Sequence, residues 1–432
     1  MSLASIARRT FLAQAASLLA SSISVPLLAD DDADQPVPSA GTLLKGLEPF
    51  DALMRQFCQK YQPLGASLAV AYRGKLKFAK GYGHADLARQ EVVEPTSLFR
   101  IASLSKPVTA TAVMKLVEDG QVELDQPILP LLPIDYEPAD ARMKEVTIRQ
   151  CLQHTAGFDT SASGDPFAMS GLVRWKLGVE YPLEKKDVLR FALTRKLDFE
   201  PGTKHVYANV GYLMLGLMIE KVSRLSYEQY VRTAILSPLG IKRMRLAKTL
   251  PKDRADGEVQ YRDSKGRTGR SVMGLKETDP VPFPYGIERI ENLAAVGGWL
   301  ASSVDMVRFA SGLFFPPAKE VLTRKTLQSM FAPPEIAGEE KPRGNQAYYA
   351  CGWLVRSAKG DVLPWTCWHN GSLTGVSSLM VSRADGVTWA VLFNQDSTPD
   401  GTAYATKIDG PLHAPASEIK NWPEKDLFAD YL

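Results

Sequence analysis

An α+β fold is predicted, with one antiparallel sheet built from both chain ends, flanked by helices, and a mostly helical domain inserted between them. Three observations predict it. Paired strand patterns occur early, in ASLAVAYRGKLKFAKGYG. They return late, in YYACGWLVRS, VLPWTCWHNG, SSLMVSR and TWAVLFN. The stretch from about 140 to about 250 is instead helix-forming and loop-rich. Strands at both ends with helices between them imply one sheet that brings the two ends together.

The elements follow in chain order. Residues 1–29 read as an export signal: adjacent Arg8 and Arg9 precede Phe11-Leu12 and a mildly apolar run ending in small residues at Ala29. That layout resembles a twin-arginine leader, so a periplasmic or secreted location is expected, with cleavage near Ala29. The alternative is a retained anchor. A spanning helix needs roughly 20 mostly apolar residues, and this run carries Gln14, several serines and Pro26. Residues 30–42, acidic and proline-containing, are expected to be a flexible linker. A helix is predicted over 47–61, where Phe50, Leu53, Met54 and Phe57 share one face. Two strands then flank a turn at Arg73-Gly74. A helix from about 106 ends at Asp119-Gly120, a glycine stop. The sheet domain is therefore drawn as 43–98 with 281–432, and the helical domain as 99–280.

Composition narrows the class without naming it. A chain of 432 residues holds more than one core or one core with a large insertion. The hydrophobic fraction of 45% argues against disorder and against a polytopic membrane protein. The net charge of +3 is too small to suggest nucleic acid, and losing Arg8 and Arg9 leaves +1. No heptads, repeats or glycine-rich phosphate loop stand out. No metal-ligand spacing is present, and no cofactor is expected.

Three short motifs carry chemistry. In IASLSKPVT, Ser103 has a lysine three residues later, at Lys106. Residues three apart share a helical face, so the amine can approach the hydroxyl. Pro107 is tolerated only near a helix start, which puts Ser103 at the first turn, where backbone N–H groups lack partners. Ser-x-x-Lys by itself is common, and Ser417 with Lys420 forms a second copy. Further along, Tyr207 is followed by Asn209 at the start of an amphipathic pattern, Val210, Leu213, Met214, Leu217 and Met218. Later still, His369, Gly371 and Ser372 end a strand. Of fifteen tyrosines only Tyr207 has asparagine two places on, and of five histidines only His369 has glycine two places on. The copy at Ser417 has no room downstream for the other two motifs.

This ordered set resembles the serine penicillin-recognising hydrolases: class C β-lactamases, D-Ala-D-Ala carboxypeptidases and related esterases and D-aminopeptidases. FRIASLSKPVTATAVMKLVEDGQVELDQPI, VTIRQCLQHTAGF, FEPGTKHVYANVGYLMLGLMIEKV, LSPLGIKRM, GGWLASSVDMVRFA and WAVLFNQD all look like recurring segments of that family. The likeness covers about 43 to 396. It implies a β-lactamase/transpeptidase-like fold and a serine hydrolase working through an acyl-enzyme. It assigns Ser103 as nucleophile, Lys106 as its proton partner and Tyr207 as second acid/base. It makes Asn209, His369, Gly371 and Ser372 substrate-binding, with the backbone N–H groups of Ser103 and Ser372 as oxyanion hole. The chemistry is sound, because a serine hydroxyl needs a base. Free Tyr and Lys titrate near 10 and 10.4, so one of the pair must shift: the ammonium favours a phenolate, and burial disfavours the charged amine.

Two departures bear on substrate. His369 stands where the β-lactamases have the lysine of Lys-Thr-Gly, and histidine is mostly neutral at pH 7. No carboxylate presents itself as a dedicated deacylation base. A small ester or amide is therefore expected as substrate, ahead of a β-lactam, unless Arg289, Lys341 or Arg343 supplies a cation. A β-lactamase, a D-Ala-D-Ala carboxypeptidase or a D-aminopeptidase is the alternative. A non-catalytic penicillin-binding or sensor protein would be marked by loss of Ser103, Lys106 or Tyr207, and all three are present.

Other residues have plainer readings. His154 is expected to brace a loop by hydrogen bonding, and His84, His205 and His413 look isolated. Trp365 and Trp368 read as sheet packing, while Tyr261 and Tyr285 fit either a pocket wall or packing. Export permits disulfides among Cys58, Cys151, Cys351 and Cys367. A three-residue hairpin loop at Ala358-Lys359-Gly360 would set Cys351 opposite Cys367.

Overall fold

The computed structural model describes residues 36–274, 280–316, 320–358, 360 and 362–431. The expected export segment, 1–29, lies outside the described residues. From Val37 onward the chain forms one compact unit. Among the described residues, no helix is long and apolar enough to cross a membrane.

The main sheet comes from both chain ends. Its early strands are β1 (Ser39–Leu43), β2 (Gly65–Tyr72) and β3 (Lys75–Asp86). Its late strands are β4 (Ala347–Tyr349), β5 (Leu354–Ser357), β6 (Trp365–Leu373), β7 (Val376–Ser382) and β8 (Val387–Phe393). Their spatial order is β1-β3-β2-β8-β7-β6-β5-β4, antiparallel throughout, with Glu91–Val92 added beside β3. The β2–β3 turn is tight because Arg73 (φ 47°) and Gly74 (φ 80°) are both left-handed, the combination whose twist matches a two-residue hairpin.

Strand alternation explains the layers. Leu68 and Val70 of β2 face one side with Phe78, Val391 and Phe393. There they meet α1 (Glu48–Tyr61), through Phe50, Met54 and Phe57, and α5 (Tyr404–Glu418), through Ile408 and Leu412. Ala69 and Ala71 face the other side, with Ala79, Ala390 and Leu392, against α4 (Ser303–Phe314). Small residues on this second face let α4 approach closely enough for Ser67 Oγ and Ser303 Oγ to bond at 2.7 Å. Two further helices serve the site: α2 (Ser105–Glu118), buried over most of its circumference, and α3 (Asn209–Ser223). A helix apolar on every side belongs in a core, and α2 occupies that position.

Two expectations need correction. The linker does not reach residue 42, because Ser39–Leu43 pairs with β3 from Ser39↔Tyr82 to Leu43↔Phe78. Extended residues beside an open sheet edge gain backbone hydrogen bonds that a charge-and-proline reading overlooks. The cysteine pairing also fails. The β5–β6 connection runs over 358–364, closed by Ala358 N–H to Pro364 O, so Val355 faces Cys367 and Cys351 precedes the strand. All four cysteines are buried and free. Lys359, at the centre of the expected turn, lies outside the described residues.

Candidate active site

Ser103 sits in a short 3-10 turn, Ala102–Leu104, that feeds directly into α2. Ala102 is left-handed at φ 49° and fully buried. For a residue with a Cβ this conformation costs roughly 1–2 kcal/mol, and such strain gathers where a side chain must be aimed. Gly371 on β6 explains how the strand comes so close. A Cβ there would lie 2.5 Å from Ile101 O and 3.1 Å from Ala102 Cβ, so only glycine lets β6 run alongside the serine turn. On the side away from β7, no strand pairs residues 369–373 among the described residues.

The turn, α2 and α3 converge on one hydroxyl. Lys106 Nζ donates to Ser103 Oγ (3.1 Å), Asn209 Oδ1 (2.9 Å) and Val296 O (2.9 Å). Tyr207 OH donates to the same Ser103 Oγ at 2.8 Å. Lys106 is fully buried, and loss of hydration lowers its pKa to about 7, opposed only by the Asp165 carboxylate. Tyr207 as a whole is 36% exposed, yet its hydroxyl points at Ser103, and desolvation raises its pKa. The pair therefore splits in one direction: the amine is the readily deprotonated partner, and the phenol keeps its proton.

A family model for Beta-lactamase matches residues 50–410. The chain belongs to the β-lactamase family. Protein flp of Staphylococcus aureus (strain MW2) is 28% identical over 333 residues, 77% of this chain and 59% of flp. Penicillin-binding protein 4* of Bacillus subtilis (strain 168) is 28% identical over 342 residues, 76% of this chain and 67% of that protein. Among solved structures, D-amino acid amidase from Ochrobactrum anthropi SV3 with D-phenylalanine superposes with a TM-score of 0.65 at 22% identity, covering 88% of this chain and 99% of the amidase. The penicillin binding protein from Bacillus halodurans gives 0.63 at 21%, covering 84% and 99%. The fold is thus the β-lactamase/transpeptidase type, and this chain spans 59% of the length of flp.

Other members of this β-lactamase-family site were not visible in the sequence. Asn209 Nδ2 donates to Asp165 Oδ2 at 2.6 Å, and Asp165 also accepts the Phe167 N–H at the start of a short turn. Asp165-Pro166 reads in sequence only as a turn cap; no local signal links it to Asn209. Glu288 is a second carboxyl, raised to about 7 by burial and by repulsion from Asp165. His154 does brace its loop, with Nδ1 accepting the Ala208 N–H at 3.2 Å. Its ring also lies 4.3 Å from that of Tyr207, fixing the phenol.

His369 is tied on both sides of its ring. Its Nδ1 lies 2.6 Å from Asn370 O, which can only accept, so Nδ1 carries the proton. Its Nε2 then accepts from Tyr349 OH at 2.9 Å. Both nitrogens are taken and the residue is 2% exposed. Burial, with Lys106 nearby, lowers its pKa to about 3. Both ring nitrogens of His369 thus have protein partners in this structure. The three cations that could replace it are engaged. Arg289 binds Leu183 O and Glu184, Lys341 pairs with Glu335 at 2.8 Å, and Arg343 with Glu340 at 3.3 Å.

The remaining residues sort plainly. Ser372 is exposed beside the serine turn, at the end of β6. Tyr261 OH accepts from Arg100 N and donates to Glu258, while Tyr285 OH accepts from Tyr261 N, so both are packing residues. Trp365 stacks on Phe331 at 4.8 Å, and Trp368 lies under Arg356. His205 is not isolated, because its ring stacks on Tyr349 at 5.7 Å. In the second Ser-x-x-Lys copy, Ser417 Oγ donates to His413 O and accepts from Arg383 Nη1, while Lys420 Nζ donates to Ser417 O and not to the hydroxyl. Among the described residues no cluster of three metal-ligating side chains occurs.

Proposed function

We propose that the protein is a serine hydrolase that cleaves a small ester or amide through an acyl-enzyme on Ser103. One observation carries the reading: a single hydroxyl held at hydrogen-bond distance by a lysine poised near neutrality and by a tyrosine that stays protonated. The neutral Lys106 amine takes the Ser103 proton as Oγ bonds to the substrate carbonyl. The N–H groups of Ser103 and Ser372 face the developing oxyanion. Tyr207 gives its proton to the departing amine or alkoxide. The resulting tyrosinate takes a proton from the water that attacks the acyl-enzyme, and Lys106 returns its proton to Ser103. No dedicated carboxylate base is needed.

The acid limb of activity follows from the lysine. Below about 7 the amine is protonated and cannot accept; above it, the amine is free. kcat/KM should therefore rise with pH through about 7 and level off above it, read with a p-nitrophenyl ester over the neutral range. A flat profile from pH 5 to 8 would remove Lys106 as the base.

The engaged His369 and the paired Arg289, Lys341 and Arg343 support substrates without a carboxylate beside the scissile bond. The Asp165 carboxylate adds negative charge beside Lys106. A charged hydrogen bond contributes about 1.5–3 kcal/mol, so its absence disfavours β-lactams by roughly tenfold or more. The test compares kcat/KM for a p-nitrophenyl ester, a small aminoacyl amide and a chromogenic cephalosporin on one preparation. Preference for the ester or amide is expected. A clear preference for the cephalosporin would replace this reading with a β-lactamase.

A further inference from the structure

The contacts of Lys106 leave its amine one way to act as a base. An ammonium has three hydrogens to donate; a neutral amine has two, with a lone pair in place of the third. Asn209 Oδ1 and Val296 O, both 2.9 Å from Nζ, can only accept. They take the two hydrogens of the neutral amine, and the lone pair is left for Ser103 Oγ at 3.1 Å. Tyr207 OH donates to that oxygen at 2.8 Å, so the serine's own hydrogen is free to turn to the lysine. The hydrogens then run one way, from tyrosine to serine to amine.

Val296 O is fixed by the backbone, but a side-chain amide can be turned over. Its oxygen and its NH2 have nearly the same shape, and exchanging them puts a donor where an acceptor stood. With Nδ2 facing Lys106, the amide would take the lone pair and Ser103 would lose its base. The choice is made on the far side of the amide. Asp165 Oδ2 accepts from Asn209 Nδ2 at 2.6 Å, and an ionised carboxylate cannot donate. Asp165 Oδ1 accepts the Phe167 N–H at 3.1 Å, which holds the carboxylate in place.

We propose that Asp165 is a positioning residue of the serine centre: by holding the Asn209 amide one way round, it keeps the lone pair of Lys106 on Ser103. The inference rests on the acyl-enzyme reading above, with Lys106 as base, and it concerns acylation. The other groups around the amine carry no charge at neutral pH. Burial keeps Tyr207 and Tyr212 protonated and holds His154 and His369 neutral. Asp165 is the carboxylate that acts on Lys106, and Glu288 lies near Asp165 in turn.

Asp165→Asn separates positioning from a structural role. Its Oδ1 can still accept the Phe167 N–H, so the turn keeps its cap. Its Nδ2 then faces Asn209 as a donor, and the Asn209 amide should turn over to meet it. kcat/KM for a p-nitrophenyl ester is measured from about pH 5 to 9 on the wild type, Asp165→Asn and Asp165→Ala, with thermal unfolding of each. In Asp165→Asn the plateau should fall roughly tenfold to hundredfold. Its acid limb should move to lower pH, because losing the carboxylate and gaining a facing donor both disfavour the ammonium. Asp165→Ala imposes no orientation, so its plateau should fall less although it removes the cap.

An Asp165→Asn plateau within about twofold of wild type would overturn the inference, whether or not the limb moves. So would a lowered plateau with an unmoved limb, the mark of a loosened turn. A folded Asp165→Ala less active than Asp165→Asn would also overturn it, since truncation harms a structural residue more than an isostere does. If the alanine variant does not fold, the plateau and limb of Asp165→Asn decide alone. An acyl-enzyme trapped on Ser103 in the wild type keeps the serine-hydrolase reading standing if the inference fails. Absence of any acyl-enzyme would remove both.

Discussion

Ser103→Ala is expected to lower kcat/KM by roughly 10⁴- to 10⁶-fold and to abolish labelling by a fluorophosphonate probe. The size follows from the arrangement. Both donors on the Ser103 hydroxyl, Lys106 at 3.1 Å and Tyr207 at 2.8 Å, act on that one oxygen. Removing it leaves the base with no proton to take and the carbonyl with no protein nucleophile. Only transition-state contacts that need no covalent bond survive. The variant should fold, because alanine fits wherever serine does in a turn whose strained position is the preceding residue, Ala102. Labelling of Ser103→Ala at the wild-type rate would place the nucleophile elsewhere and end the acyl-enzyme assignment.

Tyr207→Phe should lower kcat by roughly 10²- to 10⁴-fold while KM changes little. Phenylalanine keeps the ring that rests 4.3 Å from His154, so the wall of the site is preserved and only the proton donor is lost. Leaving groups of low basicity need less help to depart. The penalty should therefore be larger for an amide than for a p-nitrophenyl ester. If the variant turns over amides at close to the wild-type rate, Tyr207 is not the donor.

The sequence by itself determined what rests on short-range geometry. Helical spacing sets the Lys106 amine beside Ser103, and Pro107 pins the serine to the helix start, whatever surrounds them. Alternating apolar runs at both ends specified the strands of one sheet, because a strand's two faces follow directly from its residue order. The helices over 47–61 and from about 106 appear as Glu48–Tyr61 and Ser105–Glu118, with Gly120 left-handed just beyond the second. Tertiary structure decided the rest. A ring nitrogen's availability depends on how the chain folds around it: Tyr349, from another strand, and the carbonyl of the adjacent Asn370 take both nitrogens of His369. Asp165 joins the site only through Asn209, across the fold. The β5–β6 register depended on a connection, 358–364, with no compact turn signal, so a shorter loop placed Cys351 wrongly. The state of Lys106 at neutral pH is likewise a property of burial: an isolated Ser-x-x-Lys peptide would keep its amine charged, and only the desolvating core brings it down to about 7.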